Sequence, residues 1–133
     1  MAVEEKVQFL KKWEQHFKSE GWSGNGLVDL LELTENLRNF GVQLTEGGQA
    51  ILYHATSEDN ACQILNEQQM FGLEDGLFFS TSPDGEIVGY GSTVLKVWIP
   101  IPLLELNDDF RSEQRYRVPV RPKQRYSFRV ERY

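Results

Sequence analysis

The chain has 133 residues, 40% hydrophobic and 26% charged, with 14 Lys and Arg against 20 Asp and Glu for a net charge of −6. This suffices for one domain with its own core, is too short for two ordinary domains, and excludes a disordered polymer. No apolar run approaches membrane-spanning length, the start lacks the apolar stretch of a secretory signal, and the single cysteine, Cys62, excludes an intrachain disulfide and a Cys-rich zinc site, so a cytoplasmic protein without a membrane partner is expected.

Val3, Val7, Leu10 and Phe17 recur on one side of a helical wheel, and Gly21 is placed to end that helix. The turn Ser23-Gly-Asn-Gly leads into a second helix with Leu27, Leu30, Leu31, Leu37 and Phe40 as its apolar stripe and Gly41 as its stop. Residues 1–45 therefore read as a helical N-terminal extension, a hairpin packed on the rest, and residues 46–133 as the core of a single domain. After residue 48 the period becomes that of strands. A short strand at 50–53 ends in His54, and Ser57 is placed to cap a helix with Ala61, Ile64 and Leu65 turned inward and Cys62 buried as a small hydrophobe. Gly72 and Gly76 bracket a loop before a strand at 77–80. Pro83-Asp-Gly is a turn, and a short helix at 87–90 carries Tyr90. Residues 93–99 are strongly β, with a further strand at 103–106. At 116–120, Tyr116, Val118 and Val120 alternate with Arg115, Arg117 and Arg121, and at 124–130, Tyr126, Phe128 and Val130 alternate with Arg125 and Arg129. Strands outnumber helices here without βαβ regularity, which predicts an α+β fold with a mostly antiparallel sheet.

Charge is unevenly spread. Residues 1–110 hold 6 Lys and Arg against 18 Asp and Glu, and residues 111–133 hold 8 against 2. A basic end of this kind meets phosphates of a nucleotide or nucleic acid, or forms a solvated arginine face neutralised by the acidic remainder. The sequence has no phosphate-binding P-loop, no Rossmann glycine fingerprint and no nucleophile elbow. His16 and His54 stand far apart with no ligand-spaced partners, so no metal is expected. What remains is a pair of strand ends, Ile51-Leu-Tyr-His-Ala-Thr-Ser and Gly76-Leu-Phe-Phe-Ser-Thr-Ser, followed by Tyr90. An imidazole for a sugar hydroxyl, backbone beside a small residue for a carboxamide, and a ring for stacking together suit a nucleotide that bears an amide ring such as nicotinamide.

Leu52-Tyr-His-Ala-Thr-Ser resembles the first motif of the ADP-ribosyltransferase fold, in the His-Tyr-Glu class shared by poly(ADP-ribose) polymerases and diphtheria toxin, usually Tyr-His-Gly-Thr/Ser. Asn60-Ala-Cys-Gln-Ile-Leu is similar to the helix that follows, and Gly76-Leu-Phe-Phe-Ser to the second motif, with Tyr90 12 residues beyond Phe78. The resemblance covers about residues 49–131. It implies a split β-sheet, NAD as substrate and no metal. It further implies that His54 holds a ribose hydroxyl, the Ala55 backbone pairs with the nicotinamide carboxamide, Thr56 adds a contact, Phe78 fills the first aromatic position, Ser80 supports the pocket floor and Tyr90 stacks on nicotinamide.

Three positions depart from the family's pattern. Ala55 replaces a glycine, Phe78 replaces a tyrosine, and alignment on Tyr116 puts Arg115 where the catalytic glutamate stands. An arginine has the wrong sign beside a developing oxocarbenium ion. Glu113, two residues earlier on the same strand face, is the catalytic candidate with His54, and Gln114 is the neutral alternative. The expected function is an NAD-dependent mono-ADP-ribosyltransferase acting on a protein or nucleic-acid acceptor. The alternatives are a catalytically inactive binding module of that fold recognising NAD, ADP-ribose or a macromolecular partner, an RNA 2′-phosphotransferase-like activity, and a purely structural α+β domain.

Overall fold

The computed structural model describes residues 27–71, 77–84, 90–109, 113–118 and 125–133. The first expected helix and the short helix at 87–90, up to Tyr90, lie outside the described residues, so the hairpin is represented by its second helix alone. That helix, α1 (Leu27–Asn39), ends where expected: Gly41 takes φ 74 and its N–H donates to the Arg38 carbonyl at 3.0 Å. α1 buries Leu33 and Leu37 in the same apolar cluster as the sheet and packs on a 3-10 turn at Ile101–Leu103.

The sheet strands are β1 (Gln49–Thr56), β3 (Leu77–Ser80), β4 (Thr93–Pro100), β5 (Glu105–Asp109), β6 (Gln114–Val118) and β8 (Arg129–Arg132), with helix α2 (Glu58–Glu67) after β1. β2 (Gln69–Phe71) and β7 (Arg125–Ser127) form a separate two-stranded ladder. The order in the larger sheet is β5-β6-β3-β1-β4-β8, and each pairing in it is antiparallel. The protein is thus α+β with a mostly antiparallel sheet. Leu52, Phe79, Val97, Tyr116 and Val130 fill one face, under Leu33 and Leu37 of α1 and Ala61 and Ile64 of α2. On the opposite face Ile51, Ala55 and Trp98 are also buried, and Trp98 lies beneath the Arg129 guanidinium at 4.2 Å and the Lys96 ammonium at 5.5 Å.

Several boundaries differ from expectation for identifiable reasons. β1 continues to Thr56, so His54 stands inside the strand, because β4 pairs with it through Thr56↔Thr93. No strand starts at residue 103: Pro102 has no N–H to give to a ladder, the chain turns there, and the Leu104 N–H closes the turn on the Ile101 carbonyl at 3.0 Å. The last segment is two strands, broken at Phe128, whose N–H donates to the Gln68 carbonyl at 3.2 Å. Gln68 itself ends α2 with φ 53, a left-handed cap. Its side-chain amide donates to Leu65 and Val130 carbonyls and accepts from the Val130 N–H, each within 2.9 Å.

Cys62 is exposed, not buried. Ala61 and Ile64 carry the inward face of α2, three residues apart, and Cys62 points away from it, toward Glu58 and Arg132. Glu58 binds Arg132 at 2.6 Å, and this hydrogen bond, with help from Thr93, holds its carboxyl at about 2. Arg117 meets Glu105 at 2.7 Å and Arg129 meets Glu131 at 2.9 Å. The arginines of the basic end are in these cases matched to acids, as in the solvated-face reading. Among the described residues no helix is long and apolar enough to cross a membrane.

Candidate functional site

β1 is held differently on its two sides. Toward β4 it pairs without interruption from Gln49↔Pro100 to Thr56↔Thr93. Toward β3, among the described residues, the pair is Tyr53↔Ser80 alone. Past that point the two strands part, and the His54 ring bridges them: Nδ1–H donates to the Phe78 carbonyl at 2.8 Å. A carbonyl only accepts, so this bond assigns the proton to Nδ1. Burial lowers the His54 pKa, with the Phe78 bond opposing it more weakly, so the ring is neutral near pH 7 and Nε2 carries a lone pair. His54 therefore offers an acceptor to a ligand hydroxyl.

The neighbours of His54 are more enclosed. Ala55 is 7% exposed and paired with Val94. Thr56 is buried, and its hydroxyl oxygen accepts from the Asn60 amide at 2.9 Å, which ties the end of β1 into α2. Ser57 then caps α2 by accepting from the Asn60 N–H. The segment that brings in Tyr90 is seated on this same place: a β-carbon on Gly91 would overlap the Thr56 backbone, so only glycine permits the approach.

Across the opening, Ser80 is fully buried, donates to Glu113 Oε2 at 2.6 Å and accepts from the Ser82 N–H at 3.1 Å. Glu113 is 3% exposed. Thr81 and Gln114 exchange two bonds of 3.0 Å, Thr81 N–H to the Gln114 carbonyl and Gln114 N–H to the Thr81 hydroxyl. The Gln114 side chain, also buried, accepts from the Tyr116 hydroxyl at 2.6 Å and donates to Asp109 at 3.1 Å. Burial, with the Asp109 charge, raises the Tyr116 pKa. Arg115, paired in register with Ser80, turns to Tyr90: its guanidinium lies 5.1 Å from the ring centroid and donates to the Tyr90 hydroxyl at 3.0 Å. Tyr90 is 65% exposed and Phe78 39% exposed.

The structure thus joins Ser80 with Glu113, Tyr90 with Arg115, and His54 with the Phe78 backbone. Pleat alternation separates the two expected catalytic groups. Tyr53 and Ser80 share a face, so His54 projects to the other, toward Phe79 at 5.5 Å, while Glu113 lies with Ser80. Gln114, on the core side, is committed to Tyr116 and Asp109. Sequence reasoning missed the fit of Gly91 against Thr56 and the Arg115–Tyr90 contact. The adjacent Tyr90-Gly pair was the available signal for the first, and the anomalous position of Arg115 for the second. No family model, curated protein or solved structure matches the chain. Among the described residues no group of three or more His, Cys, Asp or Glu side chains is placed to hold a metal ion.

Proposed function

We propose that this chain is a nucleotide-binding module of the ADP-ribosyltransferase type, recognising NAD or ADP-ribose at the opening between β1 and β3. The observation that carries this reading is the parted seam. A neutral imidazole with a lone-pair nitrogen bridges the seam from one face of the sheet, and an exposed tyrosine is held beside the end of β1 by a glycine contact and by Arg115, which stands on the other face. Those groups are suited to a ribose hydroxyl and a flat ring. Binding is preferred over turnover because the only acid of the Glu113-Gln-Arg stretch is buried and engaged by Ser80, while a guanidinium stands next to the tyrosine.

Turnover by a mono-ADP-ribosyltransferase is the second reading, supported by Glu113 lying on the same strand face as Arg115 and reaching Ser80. It requires the carboxylate to leave Ser80 and approach ribose. Incubation with NAD, scored for nicotinamide release, and thermal shift with NAD and ADP-ribose separate the two. A thermal shift without release is expected. Release that disappears in Glu113→Gln would establish turnover instead, and labelled ADP-ribose on an acceptor would mark it as transfer. Neither shift nor release would remove both readings.

A further inference from the structure

We infer that His54 is an acid-operated latch on the β1–β3 seam: uptake of a proton by its ring opens this seam locally and leaves the ladders on either side of it closed. The latch stands whatever the opening holds, and so goes beyond the nucleotide-binding reading.

A strand inside a sheet is ordinarily held by a ladder on each side, so the loss of one side-chain bond matters little there. β1 has that support toward β4 along its whole length. On its other side the first half of β1 is taken by the segment before it: the Ile51 N–H donates to the Gln43 carbonyl at 3.1 Å, and Leu44 bridges to Ala50. Only the second half is left for β3, and there the connection is the pair Tyr53↔Ser80 and, beside it, the 2.8 Å bond from His54 Nδ1 to the Phe78 carbonyl. One imidazole thus carries a share of the joint that a ladder carries elsewhere.

The ring lies on the core face, between Leu95, its register partner on β4, and the Phe79 ring 5.5 Å away on β3, both of them buried. Burial lowers the His54 pKa, with the Phe78 carbonyl opposing it more weakly. Among the described residues the charged groups of the surrounding elements are turned away or already engaged. β3 has none. Lys96 of β4 follows Leu95 and so points to the opposite face, beside Trp98, and Arg115 and Glu113 lie with Ser80 on that face too. Arg132 of β8, opposite Leu95, binds Glu58 at the start of α2, Asp59 is exposed, and Asp109 of β5 accepts from Gln114. A proton added at Nε2 makes a cation on an apolar face. His54 is only half-buried, so its ring has a way to water, and turning there withdraws Nδ1 from Phe78. β4 still holds β1, and β6 still holds β3 from Leu77↔Val118 to Ser80↔Arg115, so the seam parts between two intact ladders. An opened seam leaves the imidazole near its ordinary pKa of 6.5 and the closed seam holds it lower, so the open form takes up the proton first. The ratio of open to closed form rises as pH falls below 6.5, by at most about tenfold per pH unit, and levels off once the closed form is protonated as well.

Amide hydrogen exchange of the full chain without ligand, followed from neutral to acid pH and expressed as protection factors, tests this. The amides of the Tyr53↔Ser80 pair are expected to lose protection below pH 6.5, approaching tenfold per pH unit, while the β1–β4 and β3–β6 amides keep theirs. His54→Gln, whose amide can still donate to the Phe78 carbonyl but does not titrate, is expected to flatten the profile with the seam closed. Protection at the seam that ignores pH in the unaltered chain would overturn the latch without recourse to any variant. So would a loss below pH 6.5 that survives His54→Gln, or one shared equally by both sides of β1.

Discussion

His54 and Gly91 are the residues on which the site turns. The histidine is neutral because burial penalises its charged form more than the Phe78 carbonyl rewards it, and its folded pKa lies below 6.5. The unfolded chain takes up a proton below pH 6.5 that the folded ring refuses, so the His54 contribution to stability is intact above that pH. It is lost as pH falls from 6.5 through the folded value. If the proposed nucleotide binds through Nε2, its affinity is expected to decline over the lower part of the same range, as the lone pair is protonated. An imidazole NMR titration placing the His54 midpoint at or above 6.5 would contradict this assignment. Gly91 contributes by having no side chain. Gly91→Ala forces its new methyl against the Thr56 backbone, and since β4 holds β1 along its whole length, the Tyr90 segment has to give way. A loss of about 1–3 kcal/mol in urea unfolding is expected from overpacking of this kind, with weakened nucleotide binding alongside. Stability unchanged from the parent would mean that the segment has another place to sit.

At the scale of elements, much was legible because hydrophobic period and caps are local. The helix before Gly41 with Leu37 turned into the core, Ser57 as a cap, the strand at Leu77–Ser80 and the alternation of Tyr116 and Val118 with Arg115 and Arg117 all appear in the fold. What was not legible depended on partners distant in sequence. β1 outruns its apolar segment because β4, some forty residues later, pairs with Thr56. The break at Phe128 answers to Gln68, 60 positions earlier. Gln68 shows how strongly such a partner acts: one amide serves the end of α2 and both backbone groups of Val130. Gln68→Ala leaves those groups without it, and a destabilisation of about 1–3 kcal/mol in urea is the expected outcome. Gln68→Glu, which keeps the acceptor for the Val130 N–H but loses the donor, is expected to fall between the two. At the candidate site the same division holds: the strand that carries Phe78 and Ser80 was legible, whereas the burial of Glu113 under Ser80 depends on the β3–β6 register, which no local pattern encodes.

For the molecule as a whole, the larger sheet is two three-stranded leaves, β5-β6-β3 and β1-β4-β8, joined at Tyr53↔Ser80 and by the imidazole bridge beside it. The joint is the weakest line in the sheet, and local opening follows such lines. Amide hydrogen exchange is therefore expected to be slowest along β1–β4 and faster for β3 groups facing β1, with a bound nucleotide slowing the latter selectively. Uniform protection across both sides of β1 would contradict the two-leaf description.

The rims of that sheet carry a consequence of their own. Among the described residues the sheet ends at β5, Glu-Leu-Asn-Asp-Asp, on one side and at β8, Arg-Val-Glu-Arg, on the other, so one rim is acidic in sequence while at the other Arg129 and Arg132 are answered by Glu131 and Glu58. Two copies approaching β5 to β5 repel, which guards against sheet extension and aggregation by that route. The net charge of −6 on every copy opposes association at long range as well. Salt weakens both safeguards, since at 1 M the screening length shrinks to about 3 Å, shorter than the spacing between neighbouring strands.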